Sequence, residues 1–269
     1  MAQVQEAGIM SMLADRITLP ASTAQLYSAF KAAKPFPHLA IDNMFPEEML
    51  NDLLQEIPSM NDQKWVRESH QRSTKSNLRS AVELGEVGYQ FTAFLNSAKF
   101  LYLVSELTGI QSLLPDPYMG GAGYHVVPTG GKFDVHADRN IDQVTGLRRR
   151  LAMLVYLNKN WEHEFGGQLE LWDKTASKCE KAIEPIFNRT VIFEVTDENF
   201  HGVRPVLNEM RSRITFACYY HTVPDANFIP HASIYAPSFY LKKEPLLKRM
   251  AENLLPPIVY RAAKKVAGR

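Results

Sequence analysis

The chain has 269 residues, 45% of them apolar and 10% aromatic, enough for one large domain or two small ones. Thirty basic residues against 29 acidic leave a net charge of +1, which excludes a long-range pull of the whole chain on nucleic acid. Its two cysteines, Cys179 and Cys218, form no CxxC pair, so disulfide scaffolds, zinc fingers and iron–sulfur sites are excluded and a reducing cytoplasm is the expected compartment.

No membrane span or secretion signal is expected. The longest apolar run, LAMLVYL (151–157), is far short of the roughly 18 residues a membrane helix needs, and MAQVQEAGIMSMLADR lacks a basic segment followed by an apolar one. Residues 1–115 read as an N-terminal helical region. The segment 21–34 follows Pro20 with Ser22 as its N-cap, and 46–57 starts at Pro46 with two glutamates in its first turn and an apolar stripe of Met49, Leu50, Leu53 and Leu54. Further helices are predicted over 84–97 and 99–108, the latter stopped by Gly109. Between them WVRESHQRSTKSNLRS (65–80) is polar and aperiodic, which predicts a loop or an exposed lid.

From about 118 the period changes from helix to strand. Short β-branched and aromatic segments follow one another between turns: 124–128, 132–138, 148–158, 167–173, 181–187, 189–195 and 211–221. This predicts an α+β fold whose core, 116–222, is a jelly roll or double-stranded β-helix, covered by the N-terminal helical layer. The remainder, 223–269, reads as a proline-containing loop and a basic helical tail. From 241 to 269 eight basic residues face two acidic ones, a surplus of six that leaves the rest of the chain at −5. That tail fits either a cap on the helical layer or a peripheral contact with an anionic surface.

Chemistry concentrates in VHAD (135–138) and FHG (200–202). Residues i and i+2 of a strand share a face, so His136 and Asp138 offer a nitrogen and an oxygen to one metal, and His201 from a distant strand completes one face of its coordination sphere. Two imidazoles and one carboxylate leave positions open, which suits Fe(II) that must take both a chelating cosubstrate and O2. Arg211 and Arg213 lie ten and twelve residues after His201; a permanent cation on the interior face of a strand needs a carboxylate partner, and a bound dicarboxylate would satisfy it.

With these motifs the chain resembles the Fe(II)/2-oxoglutarate-dependent dioxygenases, in their prolyl-4-hydroxylase-like branch, over roughly 36–222. PFPHLAIDNMFPEEMLNDLL is similar to the family's entry strand and first helix, YHVVPTGGKFDVHAD to its first ligand segment, and HGVRPV with RSRITFACYY to the last ligand and cosubstrate strand. The resemblance implies that His136, Asp138 and His201 hold iron and that Arg213, with Thr215 and Tyr156, binds the distal carboxylate of 2-oxoglutarate; Arg211 is the alternative arginine. It implies hydroxylation of an unactivated C–H bond of an amino acid, peptide or small metabolite, with release of succinate and CO2 and with ascorbate as an optional reductant. Asp138 favours hydroxylation over halogenation, because related halogenases carry a small residue there. A metal-holding jelly roll without turnover, acting as a sensor or binding protein, is the alternative.

His125, Tyr124, and the pair Arg139 and Asn140 directly after HAD are candidates for the substrate wall, each with a plain packing or solvated-loop role as its alternative. Arg148, Arg149 and Arg150 read as a charge cluster at a strand edge, without the aromatic pattern of a nucleic-acid groove. Substrate identity and oligomeric state are not encoded in any motif.

Overall fold

Local chemistry sets the helices. In the computed structural model, which describes residues 16–70, 72–78 and 82–236, α1 (Thr23–Ala32) starts with a capping box. Ser22 accepts from the Gln25 amide while the Gln25 side chain accepts from the Ser22 amide. Helix α2 (Glu47–Glu56) follows Pro46, α3 (Glu86–Leu95) follows Gly85, and α4 (Ala98–Thr108) is capped by Ser97 and ended by Gly109 in the left-handed region.

The strands are β1 (His38–Asp42), β2 (Val66–His70), β3 (Ser73–Leu78), β4 (Gly123–Val127), β5 (Phe133–Ala137), β6 (Arg148–Tyr156), β7 (Leu169–Trp172), β8 (Cys179–Ile183), β9 (Arg189–Glu194), β10 (His201–Val203), β11 (Arg213–Thr222) and β12 (Ile234–Tyr235). They pair antiparallel in the order β1-β9-β6-β11-β4-β3-β5-β10-β7-β8, with β12 added to β5 and β2 to β3. The sheet closes nearly into a barrel, the predicted jelly roll.

Side-chain alternation along β4 and β11 divides helix layer from barrel interior. Tyr124 and Phe216 face the helices, where Phe216 meets Phe91 at 5.2 Å and Tyr124 at 5.1 Å between ring centroids, and Phe91 meets Phe45 at 5.1 Å. Each fully buried ring of this kind contributes about 1.5–3 kcal/mol. Their neighbours His125 and Thr215 therefore face the interior.

The N-terminal region departs from the expected helical layer in containing three strands. Segment 65–80, read as a loop or lid, contains the hairpin β2–β3, and β3 runs between β4 and β5 in the sheet. Its composition hides this because β2 is exposed on both faces and has no apolar period. Residues 223–236 are a loop as expected, except that β12 pairs with β5 and sets Tyr235 opposite His136. The basic tail, 241–269, lies outside the described residues.

Candidate metal centre and cosubstrate pocket

Register brings the three ligand candidates together. In the antiparallel pair of β5 and β10, His136 stands directly opposite His201, and Asp138 follows β5 two residues on. The Nε2 of His136 is 3.2 Å from Asp138 Oδ1, and the Nε2 of His201 is 3.8 Å from Asp138 Oδ2. All three donor atoms lie within 4.8 Å of one another, and all three side chains are buried. A bulge between this pair and the next, Val203 opposite Phe133, puts the Phe133 ring 4.0 Å from that of His136, while Phe193 lies 4.7 Å from His201. Aromatic walls thus fix both imidazoles.

The backbone sets their tautomers. Nδ1 of His136 faces the Asp134 carbonyl at 2.8 Å and Nδ1 of His201 faces that of Asn199 at 3.1 Å, so each Nδ1 carries the proton and each Nε2 turns a lone pair inward. Burial, with the adjacent His136 ring, lowers the His201 pKa to about 4 and keeps it neutral. Burial alone would raise that of Asp138; a hydrogen bond from His136 in its protonated form and the positive groups around it outweigh burial and hold the carboxyl well below its ordinary range. Two lone-pair nitrogens and a carboxylate converging on one point are a donor set for a divalent cation.

A second polar end lies in the same cavity of about 60 Å³, on β11 and β6. Arg213 is buried; its Nε donates to the Gly167 carbonyl (2.7 Å) and its Nη1 to Thr215 Oγ1 (2.9 Å). The remaining Nη2 is buried with no hydrogen-bond partner, and so is the hydroxyl of Tyr156, whose ring lies 4.9 Å from the guanidinium carbon. Cross-strand register sets Thr215 beside both Tyr156 and His125. Gly167 has φ +72° and lies so close that a Cβ there would stand 3.1 Å from Arg213 Cδ, so a larger side chain would push the guanidinium aside. Burial disfavours the arginine's charge and raises the Tyr156 phenol, which the same charge pulls back down. Orphaned buried donors of this kind are costly unless an anion fills the space, and the carboxylate of a dicarboxylic acid fits.

Other sequence candidates fall elsewhere. Arg211 precedes β11 and is exposed, donating to the carbonyls of Lys159 and Asn160, so it does not share the inward face with Arg213. Tyr124 is in the helix-side core with its hydroxyl donating to the Leu53 carbonyl. Asn140 ties down the chain at 229–231 by bonding the Ile229 carbonyl and the His231 amide. His125 does line the cavity, with Nε2 at 3.1 Å from the Gly121 carbonyl, and burial keeps it neutral.

A wider cleft of about 330 Å³ opens beyond Asp138. It is bounded by Glu68, Lys75 and Asn77 of the hairpin, the 118–121 turn, the 138–144 loop, Arg149, and Ser233 and Tyr235 at the β12 end; Lys75, Phe133, Asp138 and Tyr219 line both spaces. Arg139, which directly follows the HAD motif and was a candidate to face substrate, does line this cleft, whereas Glu68, Lys75 and Tyr235 were not singled out by sequence and belong to no motif that would have marked them. Arg149 does not sit with its neighbours in an edge cluster: Arg148 pairs with Asp225 and Arg150 with Glu194, whereas Arg149 is buried against the Tyr219 ring, 3.6 Å from its centroid.

Comparison with known proteins agrees with this geometry. Residues 122–221 match the 2OG-Fe(II) oxygenase superfamily model. The mouse (Mus musculus) prolyl 3-hydroxylase OGFOD1 is 26% identical over 205 residues, spanning 73% of this chain and 35% of that protein, so the chain covers about a third of such a relative's length. A Pseudomonas putida prolyl-4-hydroxylase shares the fold with a TM-score of 0.58 at 18% identity, over 76% of this chain and all of that one. A Trichoplax adhaerens prolyl hydroxylase, solved with a peptide fragment of a hypoxia inducible factor, gives 0.52 at 19% identity over 82% and 92%. Fold, donor set and sequence match agree in likening residues 122–221 to the 2OG-Fe(II) oxygenase superfamily, whose members use Fe(II), 2-oxoglutarate and O2.

Proposed function

We propose that this chain is an Fe(II)- and 2-oxoglutarate-dependent hydroxylase of a prolyl residue in a peptide or protein, with His136, Asp138 and His201 as the iron ligands and Arg213, Thr215 and Tyr156 as the anchor of the cosubstrate. The observation that carries it is the pairing, in one buried cavity, of a convergent two-histidine, one-carboxylate donor set with an unfilled cationic end. Bound together, iron and 2-oxoglutarate supply O2 activation coupled to decarboxylation of the cosubstrate to succinate and CO2.

The protein's own part is positional. The carbonyls of Asp134 and Asn199 hold both imidazoles in the metal-binding tautomer, and Arg213 fixes one end of the cosubstrate while the donor set fixes the other. Phe133, Leu154, Leu169 and Phe193 keep water from the space between them. The prolyl assignment is supported by the relatives in sequence and fold, which are a prolyl 3-hydroxylase and two prolyl hydroxylases.

Anaerobic addition of Fe(II) and 2-oxoglutarate should give a visible charge-transfer band that needs both together. Admitting O2 with a prolyl peptide should then yield succinate and a peptide heavier by one oxygen atom. Absence of the band would end the cofactor assignment, and a band followed by oxidation only of non-prolyl substrates would end the prolyl one. A metal-holding sensor would bind iron without succinate formation.

A further inference from the structure

The outer cleft has its own charge imbalance. Three carboxylates border it, and each is engaged. Asp138 faces the two histidines, Asp142 Oδ1 accepts from the Val144 and Thr145 amides and the Thr145 hydroxyl, and Glu68 accepts from Ser73 and Asn77 within its hairpin, with Lys75 opposite it in the ladder.

Its two arginines are not matched in this way. Arg149 is 5% exposed, stacks on the Tyr219 ring and donates one Nη2 proton to the Gly120 carbonyl; its charge is felt by Asp116 and Asp138, but neither hydrogen-bonds it and its buried Nε has no partner. Arg139, the residue after the ligand Asp138, makes no side-chain hydrogen bond or ion pair among the described residues. Both guanidinium charges act on the Tyr219 phenol, so they flank the wall shared with the inner cavity. Arg139 is partly exposed with no carboxylate of its own, Arg149 is buried with no carboxylate hydrogen-bonded to it, and a guanidinium fork matches a planar carboxylate in particular.

We infer that Arg139 and Arg149 form a carboxylate-binding subsite, and that the substrate carries a carboxylate close to its target proline. This rests on the prolyl hydroxylase reading of the same site. The carboxylate is either an acidic side chain beside the proline or the C-terminal end of the peptide.

The test uses the full chain loaded with Fe(II) and 2-oxoglutarate and ten-residue peptides with one proline flanked by Asp, Asn or Lys, each made with a free or an amidated C-terminus. Labelled peptides are bound anaerobically and followed by fluorescence anisotropy; the same peptides are then assayed for oxidation in air. Charge-assisted hydrogen bonds to a desolvated arginine should make the carboxylate-bearing peptide bind at least about tenfold tighter than its amide counterpart, with the Lys peptide weakest. An advantage that follows the Asp identifies the side chain as source, and one that follows the free terminus identifies the chain end. Arg139→Gln should bring that ratio toward one, Arg139→Glu should reverse the order of Asp and Lys peptides, and Arg149→Lys, which keeps charge but loses the fork, should give a partial loss. Equal binding of all peptides, or a preference unchanged in the Arg139 variants, overturns the inference. Equal oxidation of all prolyl peptides overturns it while leaving the hydroxylase reading in place. Selective binding of carboxylate-bearing peptides with no prolyl oxidation does the reverse.

Discussion

The inner cavity and the outer cleft meet at Asp138 but are built differently. The inner cavity, about 60 Å³, is walled by side chains from strands in the middle of the sheet, held by ladder register, backbone carbonyls and aromatic contacts. The outer cleft, about 330 Å³, is bordered by a polar hairpin, two loops and a two-residue strand, where most charged groups are already tied to their own element. Positions that must be held to within about half an ångström belong on the rigid part, and recognition belongs where side chains change without disturbing the core. Substitutions in the two regions should therefore affect different observables.

The largest effect is expected at the metal centre. Asp138→Ala removes one of three protein donors and leaves two neutral imidazoles, so iron content and succinate formation should fall to background with the fold retained. Metal analysis and circular dichroism check this, and near-wild-type turnover with iron bound would refute the ligand set. Tyr235→Ala, by contrast, lies in the outer wall and should weaken peptide binding several-fold while leaving the iron and 2-oxoglutarate band intact.

The cosubstrate end comes next. Arg213→Ala strands a buried carboxylate, a loss of about 2–5 kcal/mol, which corresponds to a rise in KM for 2-oxoglutarate of about 30-fold or more. Arg213→Lys should recover only part, since a point ammonium does not reproduce the fork. A KM unchanged in Arg213→Ala would move the cosubstrate out of this pocket.

This same division decides what could be read from sequence. His136 and Asp138 share a face by strand period, His201 lies at the start of another strand, and Arg213 and Thr215 share an alternating strand, so the inner site follows from local spacing once the strands are recognised. Arg211 misled because period-two alternation was extended two residues past the strand start, where the backbone leaves the ladder. Tyr124 misled in the opposite sense: it is one residue from His125 and hence on the other face. The outer cleft was not legible, because the hairpin has no apolar period and the meeting of Glu68, Arg139, Arg149 and Tyr235 depends on pairings between segments far apart in sequence.

At the opposite end of β11 from Arg213, His221 is paired in register with Arg149 behind the outer cleft. Burial, with the Arg149 charge, lowers its pKa from 6.5 to about 4, and neither ring nitrogen has a hydrogen-bond partner. A ring that binds its proton less readily when folded makes acid favour the unfolded chain. Stability should hold above about pH 6.5 and fall as pH drops toward 4, by up to ~3 kcal/mol from this group. Urea unfolding of metal-free protein at pH 7 and pH 5 should show a smaller drop for His221→Gln than for the unsubstituted chain, and equal drops would exclude His221 as the source.

The smallest effect is expected at Arg211, which separates the two regions most sharply because it is only two residues from Arg213. Its guanidinium lies outside the cavity, donating at 2.8 and 3.3 Å to the carbonyls of Lys159 and Asn160 and standing 5.9 Å from the Phe165 ring centroid. Exposed hydrogen bonds of this kind exchange readily with water, so Arg211→Ala should cost about 1 kcal/mol of stability or less. The KM for 2-oxoglutarate should change less than about threefold, since a stability loss of that size leaves the pocket's own contacts in place. Measuring that KM in Arg211→Ala and Arg213→Ala side by side tests the strand-start argument directly: comparable increases in both would mean that the inward face of β11 begins two residues earlier than its hydrogen bonds indicate.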